Sequence, residues 1–149
     1  MLVDEGRASM TTTEVSKTIE PREVGAFTME VLEPGLIYLI WRGTADAESF
    51  EGLRAFDGDC RAAFGADRPI HAIVDAKHAT GLVRSMRQQL FELSSEHPWD
   101  RIVVIGMRFE LEVVLELVAR GLRLLKSDTG DIAFVDSLEQ AQAKLRDWG

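Results

Sequence analysis

The sequence predicts an α/β fold: a leading antiparallel hairpin, then about four strand–helix steps giving a mainly parallel five-stranded sheet packed with helices. Three observations carry this. Short apolar runs rich in β-branched residues recur at 36–41, 70–75, 101–106 and 132–135. Between the later runs the apolar residues fall at helical spacing. Turn and stop signals, Pro34-Gly35, Gly65 with Pro69, and His97-Pro98, punctuate the pattern.

The totals set bounds. A chain of 149 residues holds one domain with a proper core, and 46% hydrophobic with 28% charged residues is ordinary globular composition. A net charge of −8 argues against a phosphate-backbone binder and against adhesion to an anionic membrane leaflet. Cys60 is the only cysteine, which excludes an internal disulfide and a Cys-rich zinc site. No run approaches the roughly 20 apolar residues of a membrane span. The expectation is a soluble cytoplasmic protein that binds no nucleic acid and needs no cofactor. Residues 1–22 read as a mobile leader without a secretory core, with Met1 or Met10 as the start, and 23–149 as the domain.

From Val24 the pattern becomes extended, with Phe27, Met29 and Val31 alternating against Thr28 and Glu30. Pro34-Gly35 turns the chain into the 36–41 run, which reads as a strand buried on both faces. Thr44 stands where an N-cap belongs, with Asp46 and Glu48 in the first turn. Phe50, Leu53, Cys60 and Phe64 form one helical stripe, and Gly52 and Gly58 weaken it or mark a break. After the strand Ile70-His71-Ala72-Ile73-Val74-Asp75, a turn at 76–81 should feed a helix on Val83, Met86, Leu90 and Leu93. Strand 101–106 leads to a helix from about Phe109. Strand 132–135 precedes a capping-box pattern, Ser137 with Gln140, and a last helix lined by Leu138, Ala141, Leu145 and Trp148.

The segments Pro98-Trp99-Asp100-Arg101-Ile102-Val103-Val104-Ile105-Gly106 and Ile132-Ala133-Phe134-Val135-Asp136-Ser137-Leu138-Glu139-Gln140-Ala141 resemble the SpoIIAA-like branch of the STAS superfamily, as does the strand ending at Val74-Asp75. That resemblance runs over about 35–148, through the order of elements more than through motifs. It implies a small regulatory or protein-binding domain of the anti-sigma factor antagonist kind, with a phosphorylatable serine in an Asp-Ser pair before the helix. This sequence departs there: Lys77-His78-Ala79-Thr80-Gly81-Leu82-Val83 has no such pair, and only Thr80 and Ser85 supply hydroxyls.

The candidate site is the strand end and its turn: Asp75, Lys77, His78, Thr80 and Gly81, with Arg108 after the next strand. These residues suit a small polar ligand at a helix N-terminus, or phosphorylation at Thr80. The same residue types also serve plain capping, with Asp75 bonding turn amides. His71, His78 and His97 lack the close spacing of a metal site, so no metal is expected. Cys60 on an apolar stripe reads as inert packing. Gly106-Met107-Arg108 allows a close backbone approach with an anion-binding arginine, or a tight turn with a solvated one. Neither Gly-rich nucleotide motif is present.

The helix from about 109 carries Leu111, Val114, Leu115, Val118, Leu122 and Leu125 on one stripe and Val113, Leu117, Gly121 and Leu124 on a second. One apolar face is the norm for a surface helix. The second stripe is therefore expected to form a homodimer interface. The leading functional expectation is a non-catalytic regulatory or protein-binding module. The alternative is a carrier holding a small apolar or amphipathic ligand between the sheet and the 109–125 helix, with Asp75, His78 and Arg108 at its mouth. A hydrolase built on Asp75 and His78 lacks a nucleophile and an oxyanion site.

Overall fold

Phe27, Met29 and Val31 point to one side of their strand and Thr28 and Glu30 to the other, the period of two that buries one face. The computed structural model describes residues 19–65, 67–83, 88, 89, 92, 99–106 and 131–148. Within these, β1 (Arg22–Val24), β2 (Phe27–Glu33) and β3 (Leu36–Ala45) form an antiparallel meander. Three further strands, β4 (His71–Leu82), β5 (Arg101–Ile105) and β6 (Asp131–Val135), add in parallel. Among the described residues the sheet has six strands in chain order.

The α/β class and the hairpin-then-parallel order are as expected, whereas the count of five strands is corrected to six. The additional strand is β1, too short to show an alternation. Ile19 is buried at 4% exposure in the core, so the packed chain includes residues assigned to the leader.

Two helices with full boundaries, α1 (Ala47–Phe64) and α2 (Leu138–Trp148), cover opposite faces of the sheet. Phe50, Leu53, Phe56 and Cys60 of α1 pack on Met29, Ile37, Leu39, Trp41, Ala72, Val74 and Val104. Ala141 of α2 packs with Ile73, Val103 and Ile105, against Leu36, Tyr38 and Val135. Phe27 meets Trp41 and Phe50 edge-on at 5.9 and 5.6 Å between ring centroids. In β3, Ile37, Leu39 and Trp41 are buried while Leu36, Tyr38 and Ile40 are half-buried. The expectation of full burial on both faces is thus met on the α1 side alone.

Thr44 is not the cap of α1. β3 continues through it to Ala45, and Asp46 caps instead, in a reciprocal box with Ser49. Nor is Gly52 a break. A Cβ there would lie 2.4 Å from Cβ of Val24, so the missing side chain lets β1 cross the helix. Gly58 has nothing within 4 Å and the helix runs through it unbroken.

At α2, Ser137 Oγ accepts from the Gln140 amide at 3.2 Å, as a cap should. Gln140 Oε1 accepts from the Asp136 amide at 2.7 Å, one residue before the expected partner. Ala141 is buried and Leu145 packs beside it, but Leu138 is 41% exposed and lies off the apolar face. Val83 ends β4's pairing with an amide bond to Ala45 O at 3.0 Å, before any helix begins. Residues 88, 89 and 92 are helical, whereas Met86, Leu90 and Leu93 lie outside the described residues. The stretch 109–125 expected to be a helix, with Val113, Leu117, Gly121 and Leu124, lies outside them too.

Candidate functional site

The expected turn at 76–81 is strand. β4 runs on to Leu82, and β3 keeps pace with it to Ala45. Gly and Thr at 80–81 read locally as a turn, but a neighbouring strand with free backbone groups outweighs that preference. The mismatch is absorbed by two bulges. Ile40 pairs with Asp75 and Arg42 with His78, so Ala76 and Lys77 stand opposite Trp41 alone. Gly43 pairs with Ala79 and Thr44 with Gly81, leaving Thr80 as the extra residue of the second bulge.

These bulges decide what faces solvent. Ala76 and Ala79 both turn into the core, which leaves Lys77 and His78 between them on the exposed side. Thr80 and Thr44 are exposed as well, and their hydroxyls lie 3.1 Å apart across the strands. Arg42, the Cα partner of His78, is exposed beside it.

Asp75 sits at the inner edge of this surface, with its side chain 13% exposed. Tyr38 donates its hydroxyl to Oδ2 at 3.3 Å, the Lys77 amide donates to Oδ1 at 3.2 Å, and Lys77 Nζ lies 3.6 Å from Oδ2. Bonding to the backbone two residues on is the local role that short acids take in irregular strands. Tyr38's hydroxyl pKa is pushed above its usual value by burial first, then by the Asp75 charge and the bond to Asp75. Across β5, Gly106 closes on Lys77. With φ at +63°, it holds a left-handed conformation, and a Cβ there would lie 2.5 Å from Lys77 Cγ. The close approach expected of Gly106 is therefore made, to a side chain of this chain. Arg108 lies outside the described residues.

The structure thus brings together Asp75 and Lys77, and sets His78, Thr80 and half-buried Gly81 along the same strand. Among the described residues no hydrogen bond joins Asp75 to His78, so the acid–imidazole pair of a hydrolase is not assembled. His71 is at the far end of β4, its Nδ1 3.8 Å from Asp100 Oδ2. Among the described residues no group of three His, Cys, Asp or Glu lies close enough to hold a metal. Burial, reinforced by the Asp57 charge, pushes the Cys60 thiol up to about 12, which suits packing and opposes nucleophilic use. A groove of about 90 Å³ by Ala47, Phe50, Glu51, Arg54 and Gln89 is far below the roughly 300–1,000 Å³ of small-molecule sites.

Sequence reasoning passed over Arg42 and Tyr38 and read Thr44 only as a helix cap; all three lie on β3. The available signal was the rule that polar groups gather at the C-terminal ends of parallel strands. Applied to β3, it points to Arg42 and Thr44, the first polar residues after the 36–41 run, and not to Tyr38 within it. Also unforeseen was Asp57, which is 2% exposed and accepts from Trp99 Nε1 and Arg61 Nε, each at 2.8 Å.

No known protein-family model and no curated protein matches the sequence. Solved structures do resemble the chain. One is an uncharacterised protein of the DUF3478 family with a SpoIIAA-like fold from Shewanella loihica PV-4. It shares 20% identity and a TM-score of 0.59, over 87% of this chain and 97% of that one. Another is the anti-sigma factor antagonist SpoIIAA in its unphosphorylated form, at 15% identity and a TM-score of 0.52, over 83% of this chain and 99% of that one. The fold is SpoIIAA-like, as the resemblance in the sequence implied. Among the described residues no helix is long and apolar enough to cross a membrane.

Proposed function

We propose that this domain is a non-catalytic regulatory or protein-binding module that acts through the strand-end surface of Asp75, Lys77, His78, Thr80 and Gly81. One observation carries the reading. The chemistry-bearing groups of β4 stand along an open, bulged strand, and their one carboxylate is already engaged by Tyr38 and Lys77. Catalysis needs groups converging on a reacting atom. Recognition needs polar groups spread over a surface, as these are. Likeness to a protein named as an anti-sigma factor antagonist supports the same reading.

A photo-crosslinking residue at position 78, compared with one at exposed Ala55 on α1, tests it. Adducts to a discrete protein from position 78 and none from 55 support the module. Turnover of small ester or phosphate substrates, lost in Asp75→Asn, would replace it with an enzyme. The dimer belongs to the same reading and rests on the second apolar stripe, Val113, Leu117, Gly121 and Leu124. Native mass spectrometry should show a dimer for the natural chain and a folded monomer for Leu117→Glu.

A further inference from the structure

We infer that the strand-end surface recognises an acidic, extended peptide segment of a partner protein. This rests on the module reading and gives its partner a chemistry. The chain carries 25 acidic against 17 basic residues, yet the exposed end of the β3–β4 pair presents Arg42, Lys77 and His78 together. Among the described residues no acid pairs with the side chain of Arg42 or His78. Asp75, the acid within the patch, turns its carboxylate to Tyr38 and to Lys77. Glu30, across from Tyr38 on β2, lies further back along the sheet. Among the described residues Lys77 is offset by Asp75, so the charge an occupant would meet is the Arg42 guanidinium beside the His78 imidazole, and charge complementarity selects an acidic occupant.

Geometry narrows the occupant further. Arg42 and His78 sit side by side across the strands, and the Thr44–Thr80 hydroxyl pair follows on the same face. Residues two apart on a strand are spaced by roughly 6.6 Å, the spacing at which an extended peptide presents alternate side chains. Acids at every second position would meet first the Arg42–His78 pair and then the two hydroxyls. Arg42 supplies the fork that carboxylates accept bidentately. Two bulges and Lys77 make this part of β4 poor for backbone strand addition, so recognition falls to side chains. Nucleic acid is the weaker candidate, because so few cations on a chain of net charge −8 release few counterions.

The probe is a ten-residue peptide of alternating Glu and Ser, blocked at both ends, titrated into the full ¹⁵N-labelled chain. Amide shifts should concentrate at Arg42, Thr44, Lys77, His78 and Thr80. Arg42→Glu should weaken binding at least about tenfold. Arg68→Glu, an equal charge change at an exposed position near the opposite end of β4, should leave it within about twofold. His78→Ala serves as a second variant should Arg42→Glu disturb the amide spectrum as a whole. Absence of shifts at these residues overturns the inference, and so does equal weakening by the two charge reversals. Tighter binding of a ten-residue oligothymidylate overturns it in favour of nucleic acid. If crosslinks from position 78 persist unchanged in Arg42→Glu, acidic recognition falls while the module stands. Loss of position-specific crosslinks in the natural chain fails the module itself.

Discussion

The indole of Trp99 donates to Asp57 Oδ1 at 2.8 Å, tying the chain just ahead of β5 to the buried side of α1. Asp57 is 2% exposed, and Arg61 Nε reaches its other oxygen at 2.8 Å, one helical turn on. Removing the carboxylate leaves two donors facing each other. Asp57→Ala should therefore cost about 3–5 kcal/mol. Trp99→Phe keeps an aromatic ring, though a smaller one, and the Arg61 pair, and should cost only about 1–3 kcal/mol. Urea unfolding at pH 7 with an unchanged m-value separates the two, and a cost below 1 kcal/mol for Asp57→Ala would count against the buried pair.

Gly52 and Gly58 predict opposite outcomes from the same substitution in the same helix. At Gly52 an added methyl meets Val24 at 2.4 to 2.8 Å, so β1 must move away from α1. Overpacking of this kind costs about 1–3 kcal/mol, more than the helix-propensity gain. Gly58 faces open space, and there the propensity gain of about 0.5–1 kcal/mol stands alone. Gly52→Ala should lower the melting temperature and Gly58→Ala should raise it. Changes of the same sign would mean that β1 does not lean on Gly52.

Wherever burial sets the pattern, the sequence was legible. The runs at 36–41, 70–75, 101–106 and 132–135 are strands because a sheet covered on both faces needs near-continuous apolar residues. Ser137 caps α2 because the Ser–Gln spacing states the local bond directly. The strand that carries the candidate site was legible in its first half and not beyond. Asp75 marks a strand end from its own sequence, yet β4 continues because β3 runs beside it, and no window around Thr80 contains that neighbour. Arg42 was passed over for the same reason. Its place in the candidate surface comes from pairing with His78, a residue 36 positions away. Asp57 looks like a solvated helix residue until Trp99 is placed beside it.

Cys60 is fully buried on α1, and its thiol is pushed up to about 12 by burial and by the charge of Asp57. At pH 8 the thiolate fraction of such a group is about one in ten thousand. A disulfide reagent such as Ellman's should therefore leave the native chain nearly unlabelled over minutes and react at once in urea. Labelling in native buffer should follow the opening equilibrium, so it should rise in Gly52→Ala, where β1 is displaced from α1. Immediate stoichiometric labelling of the native chain would show that the α1 face is not closed over the thiol.

Ser49 joins the start of α1 to the β1–β2 turn, and the consequence is an acid-sensitive cap. Its Oγ accepts from the Ala26 amide at 2.9 Å and donates to Asp46 Oδ1 at 2.8 Å, while its own amide donates to Asp46 Oδ1 at 3.0 Å. The Ser49 amide first, then the Ser49 hydroxyl, holds the Asp46 carboxyl below its ordinary 3.8. A pKa lower in the folded chain than in the unfolded chain means that unfolding takes up a proton. The contribution is therefore complete above the unfolded value and is lost as pH falls through the folded one. Asp46→Asn keeps a competent cap without the titration. It should match the natural chain closely at pH 7 and lose stability less steeply as pH falls below the ordinary carboxylate value. Ser49→Ala strips the acceptor from the Ala26 amide and should cost about 1–3 kcal/mol even at pH 7, where Asp46 is charged in both states. Stability measured by urea at intervals of pH checks both. If Asp46→Asn and the natural chain fall in parallel with acid, the charge on Asp46 is not what the cap depends on.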